Sequence, residues 1–366
     1  MSFSQVNKVY VFHEYGAPEH YLGLSRYARS TGQRVEFITF TFFKLFAKAV
    51  MQKRFDKVGK LMNDWLFFVS CLLFPNRMKS CVLVIGCAPL DWRMLLLLRI
   101  SKHAKVIYHS SWSDWSGNKY PKKAKWLSGF VENAWYRFLH DSVERFALVT
   151  EQVTKELVVH QQVDQALCTE VYHAFDDNLF YPTADNSQYK HIIFVGRLVE
   201  EKGVLLLSEL ARNIPEYRFS IVGSGRLKPA VEAMAATYSN ISYLGFVKDR
   251  EQLADLYRSA DYILQPSLRS PDWEELFGIA LIEAMACGVI PLATDHVGPC
   301  SILSNTCLEG NLFTEAEFME QVTHFLFSVE QSPRAFCFQR DAAIQIAAEY
   351  QQDSIAKRWQ QLVESL

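Results

Sequence analysis

The chain has 366 residues, 49% apolar and 21% charged, with a formal net charge of -2 and a mean hydropathy of -0.02. That is enough material for roughly two domains, and it excludes a disordered chain, a collagen-like repeat and a disulfide-stapled miniprotein. Its eight cysteines include no CxxC pair, which argues against a zinc knuckle or a thioredoxin-type motif and fits a reducing compartment.

His13 and Glu14 come too early for a signal-peptide core, so no targeting segment is expected. The run Trp65–Phe74 is about half of what crosses a bilayer, so no transmembrane helix is predicted. Charge is uneven: residues 1–150 hold 22 Lys and Arg against 10 Asp and Glu, and residues 151–366 hold 16 against 30. The first half is therefore expected to meet an anionic partner or surface.

In chain order, KVYVF (8–12) reads as a strand, followed by a turn near Gly16 and a helix. RVEFITF (34–40) is a second strand. Residues 42–63 read as one basic helix carrying Lys44, Lys48, Lys53, Arg54, Lys57 and Lys60, followed by the apolar run 65–74. Short β-rich runs at 81–86, 105–110, 146–150 and 169–175 are separated by helical lengths such as 92–102 and 127–145. The polar stretch 176–190 reads as a linker. Alternation then restarts, with strands at 191–196, 219–223, 241–247, 261–267 and 289–294, and helices at 202–213, 227–238, 250–259 and 278–287. Residues 341–364 read as one final helix with an apolar stripe. Strands alternating with helices predict an α/β chain of two Rossmann-like, doubly wound parallel sheets facing a cleft. Ligands are then expected outside the carboxyl ends of the strands. The expected domains are 1–185 on the acceptor side and 186–344 on the nucleotide side, with helix 345–366 packing back on the first.

Chemistry concentrates in 191–299. FVGRLVEEKG places Gly196, Arg197 and Lys202 just after a strand, where two cations suit a diphosphate. IVGSG brings Gly223 and Gly225 after another strand. The third glycine of a dinucleotide fingerprint would fall at Lys228, which disfavours an NAD-linked oxidoreductase. In SLRSPDWEELFGIALIEAMACG, Glu275 and Glu283 lie eight positions apart, and Phe277 and Gly278 open an apolar helix. Were the whole stretch helical, the two α-carbons would be about 12 Å apart, too far to serve one bond as an acid and base pair. The pair suits two grips on an extended, hydroxyl-rich ligand.

The set FVGRL..EKG, IVGSG, LGFV, EELFGIALIEAMACG and ATDHVGP resembles the retaining GT-B glycosyltransferases of the family-4 type, the glycosyl transferases group 1. The match is dense over about 190–300. The resemblance implies that Arg197 and Lys202 hold a donor diphosphate, that Glu283 grips the ribose hydroxyls and that Glu275 contacts the donor sugar. It also implies that Phe277, Gly278 and Ile279 run along sugar and phosphate, that Gly196 and Gly223 line the donor, and that Val247 falls where the base is held. In the first half, Gly16 sits at the first βα turn, without the family's usual paired glycines, since Ala17 and Pro18 follow. His109 ends a strand where the family often carries a histidine near the sugar, and His13 and His296 are weaker candidates. Asp176 stands in the place of an aspartate before the linker.

The resemblance implies retaining, metal-independent transfer of a hexosyl group from a UDP- or GDP-sugar to an acceptor hydroxyl, with no cofactor. Cell-surface polysaccharide, lipopolysaccharide or glycolipid synthesis is the expected setting. The alternatives are a nucleotide-sugar epimerase on the same fold and a non-catalytic GT-B-like subunit. A carbohydrate or lipid-linked acceptor is expected, and no nucleic acid. The segment 42–74 and the cluster Lys119, Lys122, Lys123 and Lys125, beside Trp112, Trp115 and Trp126, point to an anionic membrane surface. The expected location is cytoplasmic, peripheral on the inner face of the cell membrane.

Overall fold

The computed structural model describes residues 8–14, 16, 18–117, 127–183, 190–271 and 273–366. The lysines at 119–125 and Trp126 lie outside this set. The chain forms two compact units, Met1–His173 with Asp353–Leu366, and Ala174–Gln352.

The N-terminal unit is built on strands β1 (Lys8–His13), β2 (Arg34–Thr39), β3 (Val82–Gly86), β4 (Lys105–Ser110), β5 (Val143–Leu148) and β6 (Cys168–Glu170). They form one sheet in the order β2-β1-β3-β4-β5-β6, all parallel. Central strands such as VLVIG are buried at every residue, as a sheet covered on both faces requires. The covering helices are α1 (Leu22–Ser30), α2 (Phe42–Met51), α3 (Phe55–Leu73), α4 (Met94–Ser101), α5 (Ser128–Arg137) and α6 (Glu151–Gln161). The core joins Phe12, Ile85, Leu97, Tyr108, Phe138 and Phe146.

The C-terminal unit repeats the plan with β7 (His191–Val195), β8 (Arg218–Val222), β9 (Ile241–Gly245), β10 (Tyr262–Gln265), β11 (Ile290–Thr294) and β12 (Leu312–Phe313), in the order β12-β11-β10-β7-β8-β9. Its helices are α7 (Leu206–Asn213), α8 (Lys228–Thr237), α9 (Arg250–Arg258), α10 (Ile279–Ala286), α11 (Val297–Leu303), α12 (Phe318–Glu330) and α13 (Pro333–Ala348). Asp249 caps α9 by accepting from the Glu251 amide at 2.9 Å, and Ser332 caps α13 by accepting from that of Ala335 at 3.3 Å; side-chain caps of this kind satisfy otherwise orphaned donors.

Three predicted helices are corrected by the structure. Residues 42–63 do not form one helix: Lys53 takes a left-handed φ of 53°, ending α2 and turning the chain back into α3. A straight helix of that length would run about 30 Å off the sheet. The turn lets Leu61, Asp64, Phe68 and Cys71 be buried, with Asp64 accepting from the Thr39 amide at 3.1 Å. The predicted helix 127–145 stops after a single wide turn at 138–142, because Val143 and Arg145 are already in register with β4. The predicted final helix breaks at 349–351 into α13 and α14 (Gln352–Glu364).

The break separates the two units. Residues 353–366 pack on the N-terminal unit, where Arg26 holds Asp353 at 2.5 Å and Trp359 lies 6.2 Å from the Tyr21 ring. Gly23 is required there, because a Cβ would stand 2.5 Å from Ile355 Cγ2.

Candidate functional site

In the C-terminal sheet, β7 leads to β8 and β9 on one side, and the chain then returns to β10 on the other. The loops after β7 and β10 therefore diverge, and crevices at such switch points are where open α/β sheets bind ligands. Arg197 and Lys202 lie on the first loop, Glu275 to Gly278 on the second.

Glycines let these loops stack. A Cβ on Gly223 (φ 150°) would sit 1.8 Å from the Gly196 carbonyl oxygen, and one on Gly225 would sit 2.3 Å from that of Leu198. Gly203 lies equally close to the Pro266 carbonyl, and Gly298 packs on the Phe277 backbone. Backbone bonds knit the edge together: the Leu198 amide donates to Ser224 O at 2.9 Å, and that of Leu268 to Glu201 O at 2.9 Å. The glycine pair of IVGSG thus serves loop packing rather than a dinucleotide fingerprint.

Across the crevice, the Lys202 ammonium donates to Glu275 Oε2. It also stands 5.2 Å over the Trp273 ring. Ser267 Oγ is 3.4 Å from the same carboxylate oxygen. The backbone places Glu275 from behind: its amide donates to His296 Nδ1 at 3.2 Å, and its carbonyl accepts from the Gly298 amide at 2.8 Å. Because Nδ1 accepts, the proton sits on Nε2, which faces Glu315 Oε1 at 3.1 Å. Burial, with Arg269 adding to it, lowers the His296 pKa below the ordinary histidine value. The ring is therefore a neutral strut. Arg269 closes the set by bridging Glu274, Asp295 and Glu315 at 3.0–3.2 Å.

Glu275 is not on a helix. It precedes Gly278, whose left-handed φ of 95° starts α10, so the 12 Å helical spacing to Glu283 does not apply. A Cβ at Gly278 would meet the Gln265 amide at 3.1 Å. The first two amides of α10, those of Ile279 and Ala280, have no acceptor inside the helix, whereas that of Leu281 donates to the Gly278 carbonyl at 2.9 Å. Phe277 is buried and Ile279 half-buried. Glu283, one helical turn deeper, is buried and accepts from Arg250 Nη2 at 2.6 Å. Burial raises its pKa, and the Arg250 charge opposes the rise. Arg197 is exposed at the end of β7 without an ion pair among the described residues, and Val247 is half-buried two residues beyond β9.

The N-terminal sheet has its own switch point, between β1 and β3. Gly16 (φ 62°) lies against Thr39, whose Oγ1 a Cβ would approach to 2.4 Å. Arg93, after β3, holds Glu14, after β1, at 3.0 Å and also pairs with Asp91. His109, at the end of β4, is buried, with Nδ1 3.1 Å from the Tyr21 hydroxyl. It packs 5.9 Å from the rings of His173 and Trp359. Burial, with His173 adding to it, drives its pKa well below the ordinary value, so it is a neutral group. His13 lies 5.8 Å from the Tyr21 ring. Asp176, in the other unit, accepts from the Asn178 amide and from Gln352, both at 3.2 Å.

Ser267, Trp273, Arg250, Arg269 and Glu315 were not singled out by sequence. Nothing in their spacing marks them: Arg250, Trp273, Arg269 and Glu315 meet residues distant in the chain, and Ser267 reaches Glu275 only through the irregular loop after β10. Among the described residues no three His, Cys, Asp or Glu side chains gather as a metal ligand set, and no helix is long and apolar enough to cross a membrane.

Residues 176–332 match the profile of the family described as glycosyl transferases group 1. The chain is 27% identical over 194 residues to mannosylfructose-phosphate synthase of Agrobacterium fabrum, covering 40% of this chain and 41% of that protein. It is 29% identical over 174 residues to D-inositol 3-phosphate glycosyltransferase of Mycolicibacterium smegmatis, covering 43% and 39%. The chain thus spans about two fifths of the length of these curated relatives. The crystal structure of Anabaena HepE in complex with UDP superposes with a TM-score of 0.68 at 13% identity, covering 98% of this chain and 100% of that one. That likeness shows the GT-B fold.

Proposed function

We propose that this chain, whose residues 176–332 match the glycosyl transferases group 1 profile, transfers a hexosyl group from a UDP- or GDP-sugar to an acceptor hydroxyl, with retention. The observation that carries the reading is the Lys202–Glu275 pair set across the switch point between β7 and β10, beside the exposed Arg197 and the start of α10, which has no side-chain cap. Arg197, Lys202 and the amides of α10 meet the diphosphate charge without calling on a metal. Glu275 takes a sugar hydroxyl, displacing part of its hold on Lys202. Glu283, steadied by Arg250, takes the ribose hydroxyls, and Phe277, Gly278 and Ile279 run along sugar and phosphate. Gly196 and Gly223 bring backbone close to the donor, and Val247 borders the base. Within the N-terminal unit, Gly16 follows β1 at that sheet's own switch point, and His109, being neutral, suits a hydroxyl as a hydrogen-bonding group.

In the reaction the bond from the anomeric carbon to the leaving phosphate oxygen breaks, and the acceptor oxygen bonds to that carbon from the same face. The acceptor proton passes to the departing phosphate oxygen. Arg197 and Lys202 stabilise the charge that develops there, an effect typically worth 10²–10³ in rate per donor. We assign the acceptor to a carbohydrate or lipid-linked class and the pathway to cell-surface polysaccharide, lipopolysaccharide or glycolipid synthesis. The reaction is placed in the cytoplasm, with the basic N-terminal unit facing an anionic membrane.

The test is a thermal-shift series with UDP, GDP and their sugars, since a ligand that binds only the native state raises its stability. A nucleotide-specific rise, lost in Arg197→Ala, supports the reading; no rise with any of them overturns it. With a responsive donor, NMR of the product linkage should show the donor's anomeric configuration. Turnover of donor to a new sugar without acceptor would indicate an epimerase instead.

A further inference from the structure

Helix α2 is apolar on two faces, and only one is covered. Phe42, Leu45, Phe46 and Ala49 turn toward the protein: Ala49 is buried, and Phe42 stacks on Trp65 at 5.2 Å. Phe43, Ala47, Val50 and Met51 recur at the same helical spacing, rotated to the opposite side, and are exposed. Phe43 is 78% and Met51 84% exposed, and Phe55, at the start of α3, is 74% exposed. At 100° per residue these form a stripe about 100° wide, the breadth a globular helix normally devotes to a core.

Lys44 and Lys48 border that stripe, and Lys53, Arg54, Lys57 and Lys60 extend the border around the turn into α3. Residues 42–60 thus hold six cations against one acid, Asp56. Such a face has a defined complement: an apolar phase that begins directly beneath a layer of negative charge. A second copy presenting the same face would bring twelve like charges together, twice the six counted here.

We propose that the outer face of α2, with the turn into α3, docks the protein in the plane of an anionic lipid bilayer. Phe43, Val50, Met51 and Phe55 enter the acyl boundary, while the lysines meet the headgroups. The inference rests on the membrane-facing part of the reading above and not on the sugar chemistry.

The test is co-sedimentation of the full chain, without nucleotide sugar, with vesicles of phosphatidylcholine alone or containing about one third phosphatidylglycerol. The intact protein should bind the anionic vesicles at low salt and release at high salt. Lys44→Glu with Lys48→Glu should weaken binding at least about tenfold, since each cation near such a surface is worth about fivefold. Phe43→Ser with Met51→Ser and Phe55→Ser should weaken it by about tenfold or more, with the melting temperature little changed, because all three side chains are largely exposed and Phe43 gives up only an edge contact with the Phe42 ring at 5.4 Å. Absent binding to anionic vesicles overturns the proposal, and so does unchanged binding of the apolar triple variant. It is also overturned if light scattering shows a vesicle-independent dimer that the triple variant dissociates. Because no donor is present, failure here leaves the sugar-transfer reading standing, and failure of the thermal-shift series leaves this one standing.

Discussion

Replacing Lys202 by Met tests whether the pair at the switch point is a coupled unit. The two side chains are 18% and 12% exposed, and removing one partner from a fully buried pair costs about 3–5 kcal/mol. Residual water access reduces this, so Lys202→Met should destabilise the C-terminal unit by about 2–3 kcal/mol. Glu275 would then keep only the distant Ser267 hydroxyl, at 3.4 Å. Glu275→Gln should cost less, about 1–2 kcal/mol, because Lys202 retains the Trp273 face and such contacts are worth about 1 kcal/mol when partly desolvated. In the double variant neither charge is stranded, so the combined loss should fall short of the sum by at least about 1 kcal/mol.

The assay is amide exchange in urea read over 262–294, which follows this unit separately. Losses that add to within about 0.5 kcal/mol would show that the two side chains do not act together, and the argument for a preset pair would fail. If transfer is measured in parallel, Lys202→Met should lower the rate by about 10²–10³.

Gly223→Ala drives a Cβ against the Gly196 carbonyl. It should cost about 3 kcal/mol, whereas Gly245→Ala, with φ 74° but open space around it, should cost about 1 kcal/mol. Equal melting temperatures for the two would refute the stacked-loop account. The N-terminal unit should weaken in acid. Burial lowers the His173 pKa to about 3 and that of His109 well below the usual 6.5, so the unfolded chain binds more protons in the window between. Stability from these groups is complete above pH 6.5 and is lost as pH falls toward the folded value, by about 1.4 kcal/mol per pH unit for each imidazole. Urea midpoints between those limits should show this slope, and His109→Gln should reduce it by about half; an unchanged slope would exclude His109 as a contributor.

Both sheets could be read from the sequence, because a parallel strand buried on two faces must be a continuous apolar run, as VLVIG and IPLAT are. Gly278 and the helix it opens were equally legible, since a left-handed start favours a residue without a Cβ. The helix breaks at 52–54 and 349–351 were not. Apolar periodicity runs through both, and only the demand to fold α3 back on its sheet, or to return α14 to the N-terminal unit, bends the chain there.

The residues of the candidate site could be named from the sequence, but their partners could not. Lys202 and Glu275 are 73 positions apart, Arg250 and Glu283 are 33 apart, and no local pattern encodes such pairings. Even Gly223 and Gly225 were required for a reason the sequence hides, the approach of a neighbouring loop's carbonyl oxygens. Most of the secondary structure and the two parallel sheets followed from hydrogen-bonding geometry and burial repeated over a few residues. Which charges neutralise one another, and which helix face is left uncovered, was decided by tertiary structure, because both depend on segments that meet only after the chain has folded.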